Sequence, residues 1–288
     1  MTNQFKTAVL LATLSGLLIT ISNFIVRGNS GFILGLILAA GTNLFAWYQS
    51  DKIALGVYRA REVSPEDLPR LYDMVDRLSQ RANLPMPSIY VVPSQNANAF
   101  ATGRDPEHSA VAVTEGIMQI LTEEELEGVI AHELTHIDNR DTLIQAVAAT
   151  IAGTISHLGQ MLTYSMWFGS FSRDDNRSAN PIGIVATAIL TPLAATIIQS
   201  AISQTREFSA DAGAAKLTGN PRALAQALLC LEGTAKQMPI SANPAFGHLL
   251  IINSLSSRFL GNLFSSHPPT EERVNALLEM EQLMETNY

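Results

Sequence analysis

The sequence predicts a mainly α-helical fold with a small β-sheet, an α+β protein whose apolar helices cross a membrane. Three observations support this fold class. Charged residues make up 15% of the 288 residues and apolar residues 47%, whereas globular proteins carry about 25% charged residues. Four long apolar stretches interrupt the chain. Between them lie amphipathic segments and short β-branched runs, which are typical of a water-exposed domain.

The first two apolar stretches, residues 7–26 and 31–48, contain no charged residue. Each is close to the length of about 20 residues that a helix needs to cross a bilayer. The first exceeds the apolar part of a cleaved signal peptide, which has about 7–15 residues. We therefore expect an anchored helical hairpin, with Trp47 and Tyr48 at the membrane interface.

Two later stretches, residues 142–171 and 180–205, also lack Asp, Glu, Lys and Arg. They are richer in small residues than the first pair, as is usual where membrane helices pack closely. A buried helical hairpin within a soluble core is the alternative interpretation. Transmembrane hairpins at 1–50 and 141–205 would then alternate with polar regions at 51–140 and 206–288.

Four spans place both polar regions on one side of the membrane. Six basic residues flank the spans on that side and three flank them on the other, which favours the first side as cytoplasmic. The net charge of −8 and the lack of a basic block argue against a nucleic-acid partner. No Gly-x-x-x-x-Gly-Lys loop is present to bind a nucleotide, and a single cysteine excludes both an internal disulfide and a thiolate metal cage.

The polar region at 51–140 reads as an α+β unit. Ser64-Pro65-Glu66-Asp67 predicts a helix start. Residues 88–92 and 110–114 predict two strands, and residues 98–101 a third strand at a sheet edge. Thr122 and Glu125 form a predicted capping box, so a helix should run from about Glu123 towards Arg140.

That helix carries the chemistry, in the run His132-Glu133-Leu134-Thr135-His136. Positions four apart lie about 40° apart around a helix axis, so both histidines project from one face and can bind one cation. Glu133 lies beside the metal, where a carboxylate can accept a proton from an attacking water. The alternative is a surface helix with two unengaged histidines.

A catalytic zinc needs a third protein ligand and an open position. Asp141, five residues past His136, points elsewhere on the helix. Glu207 begins the chain after the second predicted hairpin, which returns it to the same side of the membrane. Asp211, four residues on, is a candidate carboxylate for orienting a ligand. The alternative for Glu207 is a solvated charge at the interface.

Three motifs resemble those of the HtpX proteases, relatives of the CAAX-prenyl proteases. They are His132 to Ile137, Glu207-Phe208-Ser209-Ala210-Asp211 and Ser266-His267-Pro268-Pro269. The resemblance spans nearly the whole chain. It implies a zincin-like cytoplasmic domain with one zinc, held by His132, His136 and Glu207.

The resemblance also implies roles for three further residues. Asn98 and Ala99 match an edge strand that binds substrate by β-augmentation, and His267 matches a histidine that could stabilise the tetrahedral oxyanion. Asn98 as a turn residue and His267 as a mere helix-preceding residue are the alternatives.

The implied function is degradation of misfolded membrane proteins by a multi-pass protease of the bacterial inner membrane, with its active site on the cytoplasmic side. Its partners would be unfolded or misfolded membrane proteins and the lipid bilayer. A CAAX-type processing protease would share the site, but four spans look too few to enclose a lipid-accommodating chamber. A catalytically inactive membrane adaptor would be expected to lack Glu133 or a ligand, and a soluble metallopeptidase would extract without detergent.

Overall fold

The structure, a computed structural model, describes residues 28–145, 147, 204–237, 249–251 and 268–286, with several positions between 9 and 23. The helices are α1 (Asn29–Val57), α2 (Pro69–Ala82), α3 (Glu115–Ile120), α4 (Glu123–Asp138), α5 (Gln204–Thr218), α6 (Pro221–Gln237) and α7 (Thr270–Thr286). The strands are β1 (Arg61–Glu62), β2 (Ser88–Val92), β3 (Ala99–Gly103) and β4 (Ser109–Thr114). The prediction of a mainly α protein with a small sheet is confirmed.

The predicted membrane-crossing helices are not confirmed by the described residues. Over the described ranges, no helix is both long enough and apolar enough to cross a membrane. Most of residues 7–26, 142–171 and 180–205 lie outside the described residues. The predicted span at 31–48 falls within α1. The division of the chain into hairpins and polar regions remains a prediction.

The sheet is mixed and has the strand order β1-β2-β4-β3. β2 runs parallel to β4, whereas β1 and β3 pair antiparallel with their neighbours. The predicted edge position of residues 98–101 is therefore correct, because β3 ends the sheet. All five residues of β3 are nevertheless buried, and the strand contacts both α1 and α4.

α1 reaches β3 through its C-terminal end. The ring of Tyr58 packs on Phe100 of β3 with 5.1 Å between centroids, and Arg104 lies 5.2 Å from the centre of the Tyr48 ring. Burial raises the pKa of Tyr58, so its hydroxyl stays neutral. The helix that contains the predicted span at 31–48 thus contacts the strand that borders the site.

The helix predicted to start at Ser64 begins later, at Pro69. The backbone N–H and the hydroxyl of Ser64 both donate to Asp67 Oδ2, each at 2.9 Å. These bonds close a turn over residues 65–67 before the helix. A proline at the first helical position is the usual start, and here Pro69 rather than Pro65 provides it.

α4 begins with the predicted capping box. The Thr122 hydroxyl accepts from the Glu125 N–H at 3.3 Å, and the Glu125 carboxylate accepts from the Thr122 N–H at 2.8 Å. The helix ends at Asp138, Arg140 adopts a φ of 57°, and helical residues resume at Asp141. The last turn of α4, which contains His136, is therefore followed at once by a change of direction.

α4 is the central helix of the described fold. Its apolar side chains are fully buried among the sheet, α2, α5 and α6; they are Val129, Ile130, Leu134 and Ile137. α5 packs closely against it, because Gly213 leaves no side chain where α5 meets Thr135. This close approach brings residues of α5 to the histidine face of α4.

Candidate metal centre and active site

The two histidines of α4 face the same point. His132 Nε2 and His136 Nε2 lie 3.1 Å apart, with the rings perpendicular and their centroids 4.7 Å apart. Two lone pairs at this distance repel each other unless a proton or a cation lies between them. Two ligands of a tetrahedral zinc with bonds of about 2.0–2.1 Å would be separated by about 3.3 Å.

Glu207 of α5 completes this group. Its Oε2 lies 3.7 Å from His132 Nε2, and its Oε1 lies 3.6 Å from His136 Nε2. One ligand atom from each of the three residues lies within 4.8 Å of the other two, and all three residues are buried. The site predicted from the sequence is thus brought together from two helices, and its donor set fits a divalent metal.

Carboxylates contact the far nitrogens of both histidines. Asp211 Oδ1 lies 2.9 Å from His132 Nδ1, and Asp141 Oδ2 lies 3.0 Å from His136 Nδ1. A carboxylate at Nδ1 fixes the tautomer that leaves Nε2 free for a metal. The structure places Asp211 beside His132, whereas Asp141, which the sequence predicted to point away, turns back towards His136.

Each of these carboxylates faces an arginine. Arg273 of α7 donates to both oxygens of Asp211, from Nε at 2.8 Å and from Nη2 at 2.7 Å. Arg206 Nη1 lies 3.4 Å from Asp141 Oδ1. Sequence analysis missed both arginines. The charges at the two ends of the segment 142–205 were a usable signal for the second pair, whereas Arg273 reads as an ordinary surface residue of an amphipathic helix.

The charge balance of this group favours a cation. Four buried carboxylates converge here, those of Glu133, Asp141, Glu207 and Asp211. The two arginines that face them leave a formal charge of −2. Burial lowers the pKa of His136, but the hydrogen bond that its Nδ1 donates to Asp141 and the charges of Glu207 and Glu133 outweigh burial and raise that pKa to about 9. The pocket thus attracts positive charge, which a divalent metal ion supplies.

Glu133 is held next to this group by the sheet. Its side chain is buried, and its Oε2 accepts a hydrogen bond from the Ala101 N–H of β3 at 2.7 Å. Burial raises the pKa of Glu133, partly opposed by the two neighbouring histidines. A raised pKa makes the carboxylate a stronger base, as proton transfer from water requires.

A small cleft opens over these groups. Its walls are formed by residues 99–101 of β3 and by Leu249, Leu250 and Ile251, with the histidines, Glu133 and Glu207 at its floor. Ala99 therefore lines the cleft, while its predicted role in binding substrate stays a prediction. A group at this position can meet the metal ligands and the Glu133 carboxylate together.

Asn98 lies at the end of the cleft and bonds to the chain itself. Its Nδ2 donates to the Leu249 carbonyl at 3.0 Å, and its Oδ1 accepts from the Ile251 N–H at 2.9 Å. The side-chain amide of Asn98 thus pairs with one carbonyl and one N–H of residues 249–251, as the backbone of a neighbouring strand would. Binding of substrate by Asn98 remains a prediction, as does the role of His267, which lies outside the described residues.

Comparison with known proteins agrees with these features. A sequence model of peptidase family M48 matches residues 65–281. Proteins named Protease HtpX homolog are similar over almost the whole chain, at 71% identity in Nostoc punctiforme and 68% in Trichormus variabilis, with 99% of each chain covered. The homolog from Acaryochloris marina is 57% identical, over 98% of this chain and 96% of its own.

A solved structure shares the fold. The crystal structure of S. mikatae Ste24p is similar with a TM-score of 0.51 at 20% identity. The match covers 92% of this chain, which spans 62% of the Ste24p chain. At this identity the similarity concerns the fold alone.

Proposed function

This chain belongs to peptidase family M48, and from that premise we propose that it is a membrane-bound zinc endopeptidase that degrades misfolded or damaged membrane proteins. The observation that carries the proposal is the convergence of His132, His136 and Glu207 beside Glu133. Two imidazoles and a carboxylate with one open position are a typical set for catalytic zinc in peptidases.

Zinc bound by these three residues would supply Lewis acidity, which polarises a carbonyl and lowers the pKa of a water from 15.7 to about 7. Glu133 accepts the proton of the attacking water and then passes it to the leaving amine. The Ala101 N–H holds this carboxylate in place through Oε2. His267, by its resemblance to the family's histidine, stabilises the oxyanion.

The substrate is an extended peptide that lies along β3. This strand ends the sheet, and the outward N–H and C=O groups of such a strand can pair with an added chain. Because residues 99–101 line the cleft, a peptide bound there would pass over Glu133. Membrane proteins as substrates, the inner membrane and the cytoplasmic side are parts of this proposal that are supported by the apolar stretches of the sequence and by the resemblance to the HtpX proteases.

The base is tested with Glu133→Gln in the full chain purified in detergent. The variant should retain about one zinc per chain, measured by plasma mass spectrometry, because Glu133 is not a ligand. It should cleave casein or an unfolded membrane protein at the background rate. Glu124→Gln, on the exposed first turn of the same helix, should cleave like the parent.

Full activity of Glu133→Gln would overturn the mechanism. A metal other than zinc in the active protein would overturn the choice of metal and leave the rest intact. Membrane attachment is tested separately by alkaline washing of membranes, after which the chain should stay in the pellet; release into the supernatant would contradict it.

A further inference from the structure

We propose that Asp141 and Arg206 form a positioning pair that fixes the second histidine ligand, His136, and joins the helix of that ligand to the helix of Glu207. This inference rests on the proposed metal site. It assigns a role to two residues outside the three family motifs, and both contacts are described in the structure.

Asp141 is placed to act on His136 alone among the ligands. It is fully buried, and its Oδ2 lies 3.0 Å from His136 Nδ1. The reversal of the chain at Arg140, where φ is 57°, turns Asp141 back under the last turn of α4. A carboxylate at this nitrogen keeps the ring oriented and makes Nε2 a better metal ligand.

Arg206 holds the other oxygen of the same carboxylate. Its Nη1 lies 3.4 Å from Asp141 Oδ1, and its side chain is only 14% exposed. A buried carboxylate without a partner would be protonated or displaced. The guanidinium group therefore offsets the charge of Asp141 and helps to hold the carboxylate in place beside the ring.

The position of the pair in the chain gives it a second effect. Asp141 follows α4 by three residues, and Arg206 directly precedes Glu207. The contact consequently links the end of the helix that carries both histidines to the start of the helix that carries the third ligand. A shift of either helix would move His136 and Glu207 together.

His132, the other histidine ligand, has a similar set of neighbours. His132 Nδ1 lies 2.9 Å from Asp211, which in turn accepts two hydrogen bonds from Arg273. The order histidine, carboxylate, guanidinium thus occurs twice at one site, built from different helices. Each of the two rings thus has, at its Nδ1, a carboxylate that contacts a guanidinium group.

The test measures metal affinity, so it does not depend on cleavage. In the full chain in detergent, Asp141→Asn should weaken zinc binding by about 10- to 100-fold in competition with a chelator, the usual effect of removing such a partner. The absorption spectrum of the cobalt-loaded protein should also change. Asp138→Asn is the matched control, since Asp138 is an exposed aspartate near the same helix end, and it should bind like the parent.

Two further variants keep the test informative if Asp141→Asn fails to fold. Arg206→Lys, which keeps the charge, should bind zinc more tightly than Arg206→Gln. Parent affinity and an unchanged cobalt spectrum in Asp141→Asn, or equal affinities in the two Arg206 variants, would overturn this inference alone. A parent protein that binds no zinc would overturn it together with the proposed function.

Discussion

Arg273 lies against the metal ligands although it belongs to an amphipathic helix near the C-terminal end. Its side chain is 1% exposed, it binds Asp211 through two hydrogen bonds, and its Nη1 donates to the Ile251 carbonyl at 3.3 Å. Burial alone would raise the pKa of Asp211, but Arg273 lowers it to about 2. The carboxylate therefore stays charged beside His132.

We expect Arg273→Met to lower the free energy of unfolding by about 3–5 kcal/mol, because Asp211 would keep a buried charge without its partner. Urea unfolding measures this loss. Arg222→Met is the control: Arg222 pairs with Glu281 at 2.6 Å but is exposed, so its loss should cost at most about 1 kcal/mol. Similar values for the two variants would contradict the buried role of Arg273.

The Asp211–Arg273 pair also makes the stability difference between the parent and Arg273→Met depend on pH. Asp211 has its folded pKa below its ordinary value of 3.8, so the pair stabilises the fold above that value. Its contribution is lost as the pH falls towards about 2, where Asp211 becomes protonated. The gap between parent and Arg273→Met should therefore narrow between about pH 4 and pH 2.

At the scale of single residues, the sequence predicts which side chains lie together when they belong to the same helix. His132, Glu133 and His136 share one helix, and the helical repeat alone brings the histidines to one face. Arg273 could not be found in this way. In Thr270-Glu271-Glu272-Arg273 it looks like one more surface charge, and tertiary contacts, among them the packing of α7 on α5 and α6, bury it.

Between elements, the contact of α4 with α5 determines where Glu207 lies. A Cβ added to Gly213 would approach Thr135 Cγ2 to 2.4 Å. Gly213→Ala should therefore push the helices apart, lower stability by about 1–3 kcal/mol and weaken zinc binding. Thermal unfolding and chelator competition measure the two effects.

The control is a glycine in open space. Nothing lies within 4 Å of a Cβ at Gly233 of α6, so Gly233→Ala should raise stability by up to about 1 kcal/mol through helix propensity. Adding Thr135→Ala to Gly213→Ala should restore much of the loss. If the double variant is as weak as Gly213→Ala, the clash with Thr135 is not the cause.

Elements with local signals were predicted well, and those that depend on tertiary contacts were not. The Thr122 capping box and the strands at 88–92 and 110–114 agree with the structure. The two-residue strand β1 has no pattern of its own and exists because it pairs with β2. Residues 64–67 have the composition of a helix start, but the Ser64 N–H donates to Asp67 Oδ2 and so closes a turn instead.

For the whole molecule, a metal bound by α4 and α5 would hold together parts of the chain that lie about seventy residues apart in sequence. Zinc at 100 times its dissociation constant should stabilise the fold by about 2.7 kcal/mol. Chelation should lower the melting temperature accordingly. Glu207→Ala should lose this zinc-dependent shift, and Glu232→Ala, on α6, should keep it.

A shift that persists in Glu207→Ala would mean that Glu207 is not the third ligand. The sequence alone suggested this pairing because a predicted hairpin at 141–205 that returns to the same side of the membrane can bring Glu207 back next to the helix that precedes it. The sequence could not give the distance between the histidines of α4 and Glu207 of α5. That distance depends on the close approach of α4 and α5 at Gly213.

The fold class was predictable at the same coarse level. Composition and periodicity indicate helices with a small sheet, and the described residues agree. The strand order β1-β2-β4-β3 has no such signature, because it depends on pairings between distant segments.

The position of Arg273 has a consequence for synthesis. The residues that build the site run from Asn98 to Arg273, so the ribosome must translate the chain as far as α7 before Arg273 can pair with Asp211. While the polypeptide is still emerging, His132 and Asp211 lack the helix that fixes them. The Asp211 carboxylate beside His132 therefore acquires its guanidinium partner only after α7 has been translated and has packed.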